Sequence, residues 1–258
     1  MPWPSVLFLL ALSLQAEPEL IWSDEFDGDE LDFTKWAVEE NGHGGGNNEL
    51  QYYLDRPQNV RVEDGFLIIE ARKEAIHIAG VQKEYSSARI RTKRRAAWKY
   101  GRFEIRAQLP AGRGLWPAIW MLPEKEHYRG WAASGEIDIV ELVGHEPDTI
   151  HGTIHYGGSW PRNLHNGRIH KLENGSFAEK FHTFSVEWTP HSIRWYVNDI
   201  LYHEATEWQS EGGPFPAPFN QPFHLIINLA VGGNWPGHPD YTAEFPAQLK
   251  VDWVRVYQ

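Results

Sequence analysis

Apolar and polar positions alternate in short runs along this chain, and Gly, Pro, Asn and Asp separate the runs. A side-chain period of two is the mark of a half-buried strand. On that basis strands are predicted at residues 20–22, 60–62, 66–71, 87–92, 101–108, 118–122, 136–142, 150–155, 182–188, 193–197, 223–229 and 251–257. No stretch holds a helical period over about 12 residues. Asp64-Gly65, between Val62 and Phe66, is a two-residue hairpin signal, and Asn198-Asp199 is a weaker one. In the last strand the count places Val251, Trp253, Arg255 and Tyr257 on one face. The run 182–188 does not reveal which of its faces is buried. Many short strands with turn punctuation predict an all-β fold, a sandwich or jelly roll of two antiparallel sheets.

One strand carries unusual chemistry. Residues 135–141 read Gly-Glu-Ile-Asp-Ile-Val-Glu, three acids within six positions. In a regular strand Glu136 and Asp138 share a face and Glu141 points the other way. One extra residue between Asp138 and Glu141, taken up as a β-bulge, returns Glu141 to the face of the other two. Crowding acids on one face costs repulsion, and glycoside hydrolysis is a chemistry that uses it. That reaction needs one ionised carboxyl group and one that holds its proton. Like-charge crowding raises a neighbouring carboxyl's pKa, and Asp138 stands between the two Glu residues to supply the asymmetry. The spacing leaves open which Glu takes which role.

Composition narrows the partner. A net charge of −11 disfavours nucleic acid and anionic membranes. The chain's 258 residues suffice for one large domain. Aromatic residues make up 14% of it, including 13 Trp, whose broad apolar faces suit sugar rings as well as a β-sandwich core. Without cysteine there is no disulfide or thiolate chemistry. Residues 6–14 (VLFLLALSL) form an apolar run too short to span a bilayer but of the length of a signal-peptide core. The expectation is a secreted protein, cut near Ala16, with residues 17–258 as a single catalytic domain.

Around the acids, Trp116 and Trp131 lie beside Gly and Pro and are expected to wall the sugar site, whereas Trp120, inside an apolar strand, is expected in the core. His155 is expected as a hydrogen-bonding partner in the cleft and His151 as a structural residue. A metal pair from these two is disfavoured, because i, i+4 spacing suits a helix. Two loops, 41–48 (NGHGGGNN) and 231–238 (VGGNWPGH), are rich in Gly and Asn, which lets backbone approach a ligand closely.

Taken in order, the segments WSDEFD (22–27), NELQYY (48–53), YSSARI (85–90), GRFE (101–104), LWPAIWML (115–122), GEIDIVE (135–141), GTIHY (152–156), NLAVGG (228–233) and VDWVRVY (251–257) resemble family sixteen glycoside hydrolases, specifically the laminarinase branch. The resemblance spans nearly all of the chain after the apolar run. It implies a jelly roll with an open substrate cleft and a retaining, double-displacement endo-β-1,3-glucanase acting as a monomer on a polysaccharide. It makes Glu136 the nucleophile, Asp138 its assisting carboxylate and Glu141 the acid/base. It makes Asn47, Arg89, Trp116, Trp131 and His155 sugar contacts. The chemistry so implied requires no cofactor. Members often carry a structural Ca²⁺, for which the matching positions are Glu25, the Gly65 carbonyl and Asp252. Two alternatives share the fold: a hydrolase of mixed-linkage glucan or marine galactan, and a β-glucan-recognition protein that does not cut. The three acids present here disfavour the second.

Overall fold

The computed structural model describes residues 18–258; the apolar run at 6–14 and the cleavage expected near Ala16 lie outside the described residues. Seventeen strands form two sheets that face each other across one core. The first sheet holds ten: β1 (Leu20–Asp24), β3 (Gln51–Tyr53), β4 (Val60–Glu63), β5 (Phe66–Ile78), β6 (Val81–Ser87), β8 (Gly101–Gln108), β13 (His182–Trp188), β14 (Ile193–Val197), β15 (Ile200–Ala205) and β17 (Ala247–Tyr257). The second holds seven: β2 (Ala37–Val38), β7 (Arg89–Arg91), β9 (Leu115–Pro123), β10 (Glu136–Glu141), β11 (Thr149–Gly157), β12 (Asn163–Lys171) and β16 (Phe223–Val231). Its order is β12-β11-β10-β9-β16-β7-β2, antiparallel throughout. The first sheet departs from the expectation at one place, where β3 runs parallel to β6.

Local chemistry explains the turns. Asp64 and Gly65 both adopt positive φ and join Glu63 to Phe66, as a primed two-residue hairpin requires. Asn198-Asp199 does the same between Val197 and Ile200. All twelve predicted segments contain strand, although 87–92 is broken at Ala88 between β6 and β7. In the last strand a register shift between Val251 and Trp253 changes the parity. Leu249, Val251, Val254 and Val256 are therefore buried, whereas Trp253, Arg255 and Tyr257 turn outward. The expected common face of Val251 with Trp253 does not survive this bulge. Trp36, Trp188 and Trp195 lie fully buried among Phe103, Phe184 and Phe223.

The second sheet carries the cleft on its outer face. Along β9 the odd positions Leu115, Ile119 and Met121 enter the core, and the even positions Trp116, Ala118, Trp120 and Leu122 line the cleft. On β16, Leu225, Ile227 and Leu229 join the core cluster while Asn228 and Ala230 line the cleft.

Candidate active site

The bulge lies where the acid spacing predicts it. On β10, Glu136 pairs with His155 and Asp138 with Thr153, and Glu141 then pairs with His151. Three steps along β10 match two along β11, so one residue of β10 is extra. The ladder to β9 slips at the same point, between Asp138 and Val140. All three carboxyl groups consequently line one open cleft of about 690 Å³.

Each outer acid is held by its own tryptophan. The Trp131 indole N–H donates to Glu136 Oε2 at 2.9 Å, and that of Trp116 donates to Glu141 Oε1 at 3.1 Å. His155 Nε2 lies 3.4 Å from Asp138 Oδ2 and 3.7 Å from Glu136 Oε1. Its ring is 5.7 Å from that of Trp131. Asp138, only 2% exposed, is the deepest of the three, and its Oδ2 has no hydrogen-bond partner.

Burial disfavours the charged form of a carboxyl group. Burial, first, and then the charge of Asp138 push Glu136 and Glu141 each up to about 8. Burial alone pushes Asp138 up to about 8. The two indole N–H groups and His155 act in the opposite direction on the Glu residues. Such a cluster titrates collectively and keeps at least one proton near neutrality. It therefore offers a carboxylate and a carboxylic acid on the same strand, which acid-assisted nucleophilic displacement requires.

The remaining sequence candidates fall on both sides of expectation. Asn47, Arg89, Trp116 and Trp131 line the cleft, and His155 lies against Asp138 and Glu136 without lining it. Gly45 and Gly46 line it as well, in a one-turn 3₁₀ segment at Gly44–Gly46 where all three glycines take positive φ. Trp120 is a correction: it lines the cleft, donates to Asn228 Oδ1 at 2.7 Å, and carries the Arg89 guanidinium 4.8 Å above its ring. An apolar strand context concealed it, because the outer face of β9 is itself aromatic. Glu49, Tyr53, Asn228 and Trp160 were also missed. Trp160, 73% exposed, follows the end of β11 and gave no periodic signal. His151 sits against Trp235 at 4.7 Å, and its buried Nε2 lacks a partner, so it is not the satisfied structural histidine expected.

Two metal questions have geometric answers. Among the described residues, Glu136, Asp138 and His155 bring ligand-capable atoms within 4.8 Å of one another, without His151. The positions expected for calcium are engaged elsewhere. Both oxygens of Glu25 take N–H groups of Arg255, at 3.0 and 2.8 Å, and Asp252 pairs with Arg106. Gly65 lies in the β4–β5 turn. As arranged, this set does not fit a calcium cage, because an ion there would compete with both guanidinium groups for the same oxygens.

Known proteins match this architecture along nearly all its length. A β-glucanase of Rhodothermus marinus is 49% identical over 250 residues, covering 93% of this chain and 85% of that one. The solved laminarinase from the same organism aligns at 48% identity with a TM-score of 0.84, covering 94% of this chain and 98% of that one. The endo-β-1,3-glucanase of Pyrococcus furiosus aligns at 43% identity and a TM-score of 0.85, covering 93% and 94%. Two sheets packed as a jelly roll are therefore the shared framework. The profile of glycosyl hydrolases family 16 matches residues 47–255, so the chain belongs to that family and is a glycoside hydrolase.

Proposed function

We propose that the protein is a secreted, retaining endo-β-1,3-glucanase acting on laminarin-type polysaccharide. The observation that carries this reading is the bulged acid strand, with Glu136 and Glu141 in one cleft and an indole N–H on each. The laminarinase and β-1,3-glucanase relatives supply the linkage, and the open, tryptophan-walled cleft suits a chain bound along its length.

In the first step the Glu136 carboxylate attacks the anomeric carbon while Glu141 protonates the departing glycosidic oxygen. The C–O bond breaks and a glycosyl ester forms on Glu136. In the second step Glu141 takes a proton from water, whose oxygen attacks the same carbon and releases Glu136. The Trp131 N–H favours charge on Glu136 and so prepares the nucleophile. His155 Nε2 stands beside it, 3.7 Å from Glu136 Oε1 and 3.4 Å from Asp138 Oδ2. Carboxyl groups and water suffice, so no cofactor enters.

Replacing Glu136 by Gln abolishes turnover of laminarin on this reading while leaving the fold intact; near-wild-type activity refutes it. NMR of the first-formed product reports retained β configuration, and inversion would exclude the double displacement. Laminarin, lichenan and agarose assayed side by side separate the glucan reading from mixed-linkage and galactan activity. Secretion is supported by the apolar run at 6–14 and is tested by sequencing the N-terminus of protein from the medium, which should begin at Glu17.

A further inference from the structure

A β-bulge is a weak point in a sheet, because the ladder on both sides of it is interrupted. Here the interruption begins at Asp138, where the register slips towards β9 and towards β11. Everything that separates Glu141 from Glu136 depends on how that backbone is held. The Asp138 carbonyl is held from outside its own sheet. Trp195, on β14 of the ten-stranded sheet, is fully buried and donates its indole N–H across the core to that oxygen at 2.7 Å.

Two further features make room for this contact and fix it. Trp195 lies under Gly152 of β11, the residue between the partners of Asp138 and Glu141. A Cβ on Gly152 would come within 2.5 Å of Trp195 Cδ1 and would also collide with the Tyr202 hydroxyl. Gly152 is thus the gap through which the indole approaches the bulge. On its other side the Trp195 ring is stacked on His203, centroids 4.6 Å apart and planes 20° from parallel.

We infer that Trp195 is a positioning residue for catalysis: its N–H pins the Asp138 carbonyl and so fixes the bulge that aims Glu141 at the glycosidic oxygen. Trp195 touches neither substrate nor reacting atoms and acts only through the backbone of β10. The inference rests on the assignment of Glu136 and Glu141 as reacting groups. It adds a requirement which that assignment does not contain.

The test replaces Trp195 with β-(3-benzothienyl)alanine, which keeps the ring shape and loses only the N–H donor, and in parallel with Phe. Losing one buried hydrogen bond to the bulge should lower kcat/KM on laminarin about tenfold. On 2,4-dinitrophenyl β-laminaribioside, whose leaving group needs no proton, the loss should be at most about twofold. Ile193→Val, in the same strand and core, serves as a control for packing, with reduced Tm and wild-type kcat/KM on both substrates. Wild-type kcat/KM in the benzothienyl variant overturns the inference, as does an equal loss on both substrates or a matching loss in Ile193→Val. Should Phe fail to fold, the benzothienyl variant alone decides. If Glu136→Gln is dead while the benzothienyl variant is wild type, this inference fails and the catalytic assignment stands. If Glu136→Gln remains active, the assignment itself has failed.

Discussion

Replacing Asp138 by Asn removes one ionisable group from the acid cluster and keeps nearly the same shape. After burial, the charge of Asp138 is the main influence that raises both Glu136 and Glu141. A like charge raises a carboxyl pKa, so deleting it lowers both. A charge at 4–6 Å shifts a neighbour by about 1–3 pH units. Asp138 itself carries charge only near and above its own pKa of about 8, so the basic limb of the pH profile of kcat/KM should move to lower pH by about 1 unit or more, while the acid limb stays nearly in place. The acid limb follows ionisation of the nucleophile, and the basic limb follows loss of the proton on the acid. The assay is laminarin turnover from pH 4 to 10 for the two proteins.

The same substitution has a stability signature of opposite appearance. Asp138 rises from an ordinary 3.8 to about 8 on folding. Between those values the folded chain binds more protons than the unfolded chain, so this group's contribution to stability falls as pH rises through that window. At about 1.4 kcal/mol per pKa unit, an unfolded chain that ionises Asp138 gains several kcal/mol at pH 7 and less than half of that at pH 5. Asn has no such term. The variant should therefore be more thermostable than the wild type at pH 7, with a smaller gain at pH 5. The difference between the two gains has a ceiling of a few kcal/mol, or several degrees in Tm for a chain of this size. A basic limb that stays in place would refute the idea that Asp138's charge raises its neighbours, and a Tm change independent of pH would refute the raised pKa of Asp138 itself.

Other outcomes follow from individual contacts. Trp120→Ala should raise KM for laminarin by roughly tenfold, because it deletes a cleft wall and the seat of Arg89; steady-state kinetics check this. Exhaustive dialysis against EDTA should leave kcat at 25 °C unchanged, since the proposed displacement uses only carboxyl groups and water and assigns no metal to Glu136, Asp138 and His155; loss of activity restored by one divalent cation would reverse that assignment. Gly144→Ala should destabilise the fold by roughly 1–3 kcal/mol, because its Cβ would meet the carbonyl of Gly112, and urea unfolding measures the change.

What the sequence disclosed and what it hid divide along a physical line. The bulge was legible because three acids in a strand of known period either share a face or do not, and only an extra residue reconciles Glu141 with Glu136. Hairpins at Asp64-Gly65 and Asn198-Asp199 were legible because positive φ is a local demand. The strand β12, NLHNGRIHK, was not: it is a half-exposed edge with polar residues on both faces, so no period of two is written into it. Trp120 was misread because β9 is apolar on its core face and aromatic on its sugar face, and alternation separates polar from apolar, not core from cleft.

The deepest omission concerns contacts across the sandwich. Asn48 donates to Asn234 from 186 positions away, tying together the two Gly-rich loops, and the loops meet again where the Asn234 N–H reaches the Asn47 carbonyl. Each loop alone reads as a connector; paired, they meet beside Trp116, whose ring lies 5.5 Å from that of Trp235. The Trp195 bond to Asp138 is the same kind of fact, a side chain of one sheet reaching the backbone of the other. The acids on β10 name the reaction because their chemistry is local. Their aim depends on residues that only the packing of the two sheets brings to them.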